Sequence, residues 1–359
     1  MAAFTLQDGR WSSVIYRLSA VADLEASSRE YGALRRVRKI RSAEGLLRLA
    51  LMYGPGHLSL RHAAVAAGDA GIAALSDKGV LGRLRNMGDW LAYLLQRLLA
   101  AKRRDWQAVE TGELDLALVD GSVICGPAAK GSDWRLHARF DPGRGCFGDL
   151  VLSEGRVPEQ TDRTDISPGQ TMIQDRGYAR VRNFAAILQA KSDFITRIGW
   201  RSVRLLNAER GVVDVLEIAP QDDEPHEHEV YVDGVAQKLR LVIQRVPPDK
   251  AGRAAKRVRR KATKTGVRMD PRTSVAAGYL MLLTSLPATR QSSERIISLY
   301  RNRWQVELGF KRLKTIGGLD KLPASDPHLA RTWLLAHLIA AVLTDEIANE
   351  IVGFPPSAG

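Results

Sequence analysis

LYRNRWQVELGFKRLKTIGG, from Leu299 to Gly318, decides how the chain is read. It reads as one helix closed by the Gly317-Gly318 pair, glycine being the usual residue just past a helix end. On an ideal helix Tyr300, Arg303, Trp304, Glu307, Lys311 and Lys314 share an arc of about 100°. One carboxylate, three cations and two aromatic rings are too polar for a core stripe and too varied for a plain solvated face. Arg303 and Glu307 alone have the i,i+4 spacing of a surface ion pair. The whole set suits a nucleic-acid phosphodiester: a metal-binding carboxylate, cations for phosphates and rings that stack on bases.

Two further acids lie upstream. After Gly112 the chain turns to strand-like runs: LDLALVDGSVI, WRLHARFD, GDLVLSEG and QTMIQDRG. A helix from Ala179 to Ala190 follows, and then KSDFITRIG. Three strands, then strand, helix, strand make an α/β core. The first strand is expected to end at Asp120, before Gly121-Ser122, and the fourth at Asp175, before Arg176-Gly177. Singly, an acid at a strand end is an ordinary turn former; as a pair, with Glu307 on a later helix, they can converge.

Residues 13 to about 108 carry helical periodicity and almost no strand signal. A short helix from Ser59 to Ala67, a glycine-containing turn and a helix opened by Ser76 or Asp77 fit a helix-turn-helix unit. Its second helix would carry Lys78, Arg83 and Arg85. ALRRVRKIRS adds a phosphate-binding patch of Arg35, Arg36, Arg38, Lys39 and Arg41. From Gly199 to Leu286 more strands are expected (VVDVLEIAP, HEVYVDG, QKLRLVIQRV, GYLMLLTSL), forming a small β subdomain around a basic loop, 250–268. A long packing helix ends the chain. The expected domains are 1–110, helical and DNA-binding; 111–199, the first part of the core; 200–287, a β-rich insertion; and 288–359, the second part of the core.

The chain has 359 residues, and its net charge of +13 calls for a polyanionic partner. The opening MAAFTLQDGR lacks the regions of a secretory signal, and the most apolar run, Trp333 to Leu343, is too short to span a bilayer. Cys125 and Cys146 form no zinc pattern and no disulfide framework. The expected location is therefore the cytoplasm, with DNA and no membrane as partner.

Cleaving or joining a phosphodiester needs an activated nucleophilic oxygen, a stabilised leaving oxygen and a neutralised phosphorane. A pair of divalent ions does all three. Magnesium prefers hard oxygen ligands, and Asp120, Asp175 and Glu307 supply them, with Asp120 as the bridging ligand. Arg303, Lys311 and Lys314 would hold phosphates, and Tyr300 and Trp304 would meet a terminal phosphate or an unpaired base.

The helix matches Tyr-x2-Arg-x3-Glu-x6-Lys without a gap, at Tyr300, Arg303, Glu307 and Lys314. Upstream stand Asp120 before Gly-Ser, and DRGYA from Asp175 through Arg176 to Ala179. In this the chain resembles the bacterial insertion-sequence transposases of the DDE class, in the branch named for that Tyr-Arg-Glu-Lys signature. The likeness runs from about Ala33 to the C-terminal helix, where the resemblance implies more chain than follows here. It implies a ribonuclease-H-like α/β core whose first and fourth strands lie side by side, a β-rich insertion before the Glu, and an all-α DNA-binding domain in front. It further implies cut-and-paste transposition with Mg²⁺ or Mn²⁺, two ions per active site, in a homodimer bridging two inverted-repeat ends. Water attacks first, and the freed 3′-hydroxyl then attacks target DNA. A transposase-derived DNA-binding protein without catalysis, and a nuclease that never joins strands, are the alternatives.

Overall fold

A computed structural model describes residues 8–104, 114–127, 133–155, 157, 160–266 and 268–352. The expected boundary at residue 110 and the first seven residues of the opening lie outside the described residues. The first third is helical: α1 (Asp8–Val21), α2 (Leu24–Glu30), α3 (Ala43–Tyr53), α4 (Leu60–Asp69), α5 (Asp77–Leu84) and α6 (Gly88–Arg104). Side chains stop these helices at their N-termini. Asp23, Ser42, Ser59 and Ser76 accept the backbone N–H groups of Ala26, Gly45, His62 and Gly79. The helix pair expected from Ser59 and Ser76 is thus α4 and α5.

The next elements are β1 (Leu116–Ile124), β2 (Trp134–Asp141), β3 (Cys146–Glu154), β4 (Thr171–Gln174), α7 (Val181–Gln189), β5 (Asp193–Arg197) and β6 (Leu205–Leu206). Then come β7 (His226–Val232), β8 (Leu239–Arg245), α8 (Pro248–Thr265), α9 (Pro271–Ala276) and β9 (Tyr279–Thr284). The chain finishes with α10 (Ser293–Arg301), α11 (Trp304–Lys311) and α12 (Pro327–Val352). The strands form one sheet in the order β3-β2-β1-β4-β5-β9-β8-β7-β6. β1, β4 and β5 run parallel, and β2, β3, β9 and β8 join antiparallel.

Both faces of this sheet are covered, so its central strands are apolar runs whose alternate residues enter different cores. Leu118, Ile173, Ile195, Val242 and Leu282 join a core built with α1–α6 and α10–α12. Their neighbours Val119, Met172, Phe194, Leu241 and Leu283 face the opposite way, into a core with Phe184 and Ile187 of α7. The helical first third, expected in front of the core, is therefore packed on it. α12 seals the joint: Thr332 donates to the carbonyl of Leu84 at 2.7 Å, and Asp326 pairs with Arg85 at 2.6 Å.

Three expectations change. The β-rich insertion is not a separate small sheet: β9 pairs with the edge of β5 (Ile195↔Thr284), and β8 and β7 extend the same sheet outward. An unpaired β5 edge would leave a row of backbone groups open, and this pairing closes it. The basic loop 250–268 is mostly the helix α8. VVDVLEIAP is no strand; apart from a bridge between Val212 and Leu206 it forms turns.

The spacing of α11 from the sheet rests on Gly309. A Cβ there would come 2.7 Å from Cζ of Phe147, whose ring is held by Phe140 and Phe310 at 5.3 and 6.1 Å. Gly309→Val is expected to cost about 1–3 kcal/mol by overpacking, and Phe147→Leu in the same chain to recover part of it; urea titrations of the single and double variants check this. A second expectation concerns acid. His337 of α12 donates Nδ1–H to the carbonyl of Trp333 at 2.9 Å, and burial, with the nearby His57, pulls its pKa down to about 4. His137 of β2 is likewise lowered to about 4 by burial and by Arg135 and Arg163. The unfolded chain binds more protons than the folded one between the ordinary histidine value and about 4, so stability is complete above about pH 6.5 and falls below it. The loss by pH 4 is on the order of 2–3 kcal/mol per histidine, and His337→Gln should flatten that part of a stability-against-pH curve.

Candidate active site

β1 and β4 pair in parallel from Leu116↔Thr171 to Val119↔Gln174, and there the pairing stops. Asp120 and Asp175 are the next residue on each strand. By alternation both point to the face of Leu118 and Ile173, the face on which α11 packs. The first and fourth strands thus lie side by side as expected. One detail differs: β1 does not end at Asp120. It runs on to Ile124 paired with β2 alone (Asp120↔Ala138, Ile124↔Trp134), so Asp120 marks where β1 parts from β4. Its carboxylate accepts the N–H of Gly121 at 2.8 Å. Asp175 opens the short turn Arg176–Tyr178, its carbonyl accepting the N–H of Tyr178 at 3.0 Å.

The Leu299–Gly318 stretch is not one regular helix. α10 gives way to α11 through Asn302 and Arg303, where Asn302, Arg303, Gln305 and Val306 donate to carbonyls three residues back. Such tightening turns the chain faster than the 100° per residue of an α-helix. After Lys311 the helix widens instead, into a π turn from Arg312 to Ile316, with Gly317 donating five residues back to Arg312. Gly318, at φ +70°, ends it as the glycine pair foretold.

This irregular path decides where the motif side chains go. Tyr300 faces inward and is 8% exposed. Burial and the charge of Asp175 push its pKa up. Arg303 holds the centre: Nη1 lies 3.3 Å from Oδ2 of Asp120 and Nη2 lies 2.5 Å from Oε1 of Glu307. Burial acts against that guanidinium's charge, yet Tyr300, the hydrogen bond to Glu307 and the charges of Asp120 and Asp175 together raise its pKa. The Arg303–Glu307 ion pair that the spacing allowed is present, and Asp120 makes it a three-membered bridge. One guanidinium fork therefore spans the first and last carboxylates, with Asp175 close enough to act on it. Among the described residues no three His, Cys, Asp or Glu side chains sit close enough to hold one ion.

Beside this bridge opens a cleft of about 400 Å³, lined by Asp120, Ser122, Glu307, Lys311, Lys314 and Asp320 among others. Lys311 is exposed at its rim. Lys314 donates from Nζ to the carbonyl of Val123 at 2.7 Å, fastening the π turn to β1. Trp304 stands 54% exposed. Arg176 is exposed and packs over Gly199, where a Cβ would meet its Cδ at 3.1 Å. The remaining cationic candidates do not line the cleft. Arg35, Arg36, Arg38 and Lys39 are exposed on the segment joining α2 to α3. Arg83 donates to the carbonyl of Arg36 at 3.3 Å, and Arg85 is engaged with Asp326.

Sequence reasoning missed Asp320, Ser122 and Arg197. Arg197 ends β5 and acts electrostatically on Tyr300; as a charged residue at the end of a strand it carried the same signal as Asp120 and Asp175. Asp320, after the glycine pair, carried none.

Residues 111–343 match the family model described as "Transposase DDE domain". The chain is 37% identical over 364 residues to the transposase for insertion sequence element IS421 of Escherichia coli, covering 97% of both. To InsL of insertion sequence element IS186A, from Escherichia coli strain K12, it is 37% identical over 363 residues, again 97% of both. The transposase for insertion sequence element IS231F of Bacillus thuringiensis subsp. israelensis is 22% identical over 241 residues, 61% of this chain and 50% of that one. The chain belongs to the DDE transposases of bacterial insertion sequences. No helix among the described residues is long and apolar enough to cross a membrane.

Removing the bridge leaves neighbouring acids without their shared cation. Arg303→Ala is expected to cost about 1–2 kcal/mol at low salt, less as ionic strength screens the acids. Arg303→Lys should recover little of this, because an ammonium is a single point and not a fork. Chemical denaturation of the three proteins at two salt concentrations tests both statements.

Proposed function

We propose that this chain binds the inverted-repeat ends of its own insertion sequence and moves that element by metal-dependent DNA cleavage and strand transfer. In this reading the β3-β2-β1-β4-β5 half of the sheet is a ribonuclease-H-like core, and Asp120, Asp175 and Glu307 are the catalytic carboxylates. The homodimer that joins two ends, the helical DNA-binding role of 1–110, and the parts given to 111–199, 200–287 and 288–359 belong to the same proposal. Its main support is a single observation: two acids stand where adjacent parallel strands part, on the face where Arg303 ties the first of them to Glu307.

The donor set fits a divalent ion in its chemistry, since all three groups are hard oxygen ligands of the kind Mg²⁺ and Mn²⁺ take. A guanidinium now supplies the positive charge between Asp120 and Glu307, so those two carboxylates are already placed to share a cation. When bound, a pair of such ions makes the attacking oxygen nucleophilic and steadies the leaving oxygen and the phosphorane. Asp120, Asp175 and Glu307 would hold them. Arg303, turned out of its bridge, is long enough to fork onto a phosphate instead, and its planar geometry suits that partner. Lys311 reaches phosphates from the rim. Trp304 presents an open ring for an unpaired base. Tyr300, being buried, orients Arg303 and does not itself reach a terminal phosphate. Lys314, held by the carbonyl of Val123, serves first to fasten the π turn.

The same guanidinium favours a second reading, a transposase-derived DNA-binding protein whose carboxylates stay bridged and never take metal. Glu307→Gln separates the two. It is expected to lower Mn²⁺ binding followed by electron paramagnetic resonance, and to slow strand cleavage of a duplex carrying the element's ends on the order of a thousandfold, with DNA affinity retained. Undiminished cleavage by the variant would refute the triad. No Mn²⁺ bound by the parent protein, with or without DNA, would leave the non-catalytic reading.

A further inference from the structure

Both ends of the segment carrying α8 and α9 lie at the sheet edge that bears the acids. β1, β4 and β5 run parallel and deliver Asp120, Asp175 and Arg197 toward that edge. β9 is antiparallel to β5, so it starts there, with Ile198 donating to the carbonyl of Met281 at 2.9 Å. β8 is antiparallel to β9 and ends there, Arg245 opposite Tyr279. From the strand of Asp175 to the end of β8 is three strand spacings, about 15 Å.

α8 is unlike the other helices in charge. Eight of its 18 residues are Lys or Arg, and Asp249 is its one acid, paired with Arg253 at 2.6 Å. Its half-buried residues are Ala251, Ala254, Ala255, Val258 and Ala262, a stripe at helical spacing, and α9 is the neighbour it packs against. α9 is fixed in turn to the sheet's flank. Arg272 pairs with Asp214 and lies over the Trp200 ring at 4.7 Å, and Asp270 pairs with Arg201. The cations occupy the rest of the circumference, roughly 200° of it on an ideal helix about 27 Å long. A stripe of alanine and valine offers lipid nothing to bury. So wide a cationic face fits phosphates on both walls of a groove, and a major groove admits a helix. Apart from its cations and Asp249, α8 carries only Pro, Ala, Gly, Val and Thr, and cations set so closely along one band suit the evenly spaced phosphates of any sequence.

We propose that α8 seats on duplex DNA at the end of the sheet from which the acids emerge, on the side of the α7 core, and holds it through phosphates without regard to sequence, so that its partner is DNA outside the element. This rests on the function proposed above and adds to it which surface grips DNA of arbitrary sequence. The test uses the full chain carrying Glu307→Gln in metal-free buffer, so that binding is read without cleavage. Its affinity for two duplexes of about 30 bp with unrelated sequences is followed by fluorescence anisotropy over a range of NaCl. Adding Lys256→Gln, Arg257→Gln, Arg260→Gln and Lys264→Gln together should flatten the plot of log affinity against log salt by about 3–4. Affinity for both duplexes should fall at least about tenfold near 0.1 M salt, with circular dichroism unchanged. An unmoved slope on a correctly folded variant overturns the role of α8 and leaves the active-site reading intact. So does a variant that weakens only one of the two sequences, or a parent protein that binds phosphatidylserine vesicles as tightly as duplex. A parent that binds neither duplex overturns the role of α8, and one that also fails to bind a duplex carrying the element's ends takes the proposed function with it.

Discussion

One guanidinium holds the site together. Arg303 reaches from a helical junction to a carboxylate on the first strand and to another one turn further along its own chain. An uncompensated cluster of acids beside a core would repel itself, and this bridge lets them be brought together before any ligand arrives. The arrangement depends on small departures from regular geometry. Tightening at Asn302 and Arg303 turns Tyr300 inward while Arg303 faces the strands. Widening at Arg312–Ile316 brings Lys314 down to Val123. Neither would follow from an unbroken helix.

The sheet supplies the other half of the constraint. Parallel strands all present their C-terminal ends at one edge, so residues far apart in sequence arrive as neighbours there. Extending the sheet through β9, β8 and β7 lengthens that edge without adding a separate body, and it carries the cationic helix at a set distance from the acids. The surplus charge of +13 is thus partitioned. At the site the acids are met by Arg303, Lys311 and Lys314, while much of the excess is displayed on α8 and on the exposed segment between α2 and α3.

Much of this was legible in the residues, and the gaps have physical causes. Asp120 and Asp175, each unremarkable alone, were readable as a pair at strand ends upstream of Glu307, and the motif at Tyr300, Arg303, Glu307 and Lys314 because its spacing is helical. The break at Asn302 was not, since neither glycine nor proline marks it; it accompanies the burial of Tyr300 against Arg303 and the reach of Arg303 to Asp120. The basic run looked like a loop because charge dominates its composition. The Ala254, Ala255, Val258 and Ala262 stripe that makes it a helix is too weakly apolar to declare itself. The union of the insertion with the main sheet was hidden for a different reason: β9 is as apolar as any core strand, and nothing in its sequence from Tyr279 to Thr284 names β5 as its partner. Gly309 was silent too, its importance lying wholly in Phe147.

The packing of α12 against α3, α5 and α6 has a consequence in time. Synthesis delivers those helices first, and at ordinary elongation rates the stretch from the end of α6 to the start of α12 takes about ten to forty seconds to emerge. Until then the carbonyl of Leu84 lacks Thr332, and the sides of α3, α5 and α6 that meet α12 have no partner. The helical third therefore stands through that interval without the last element packed on it.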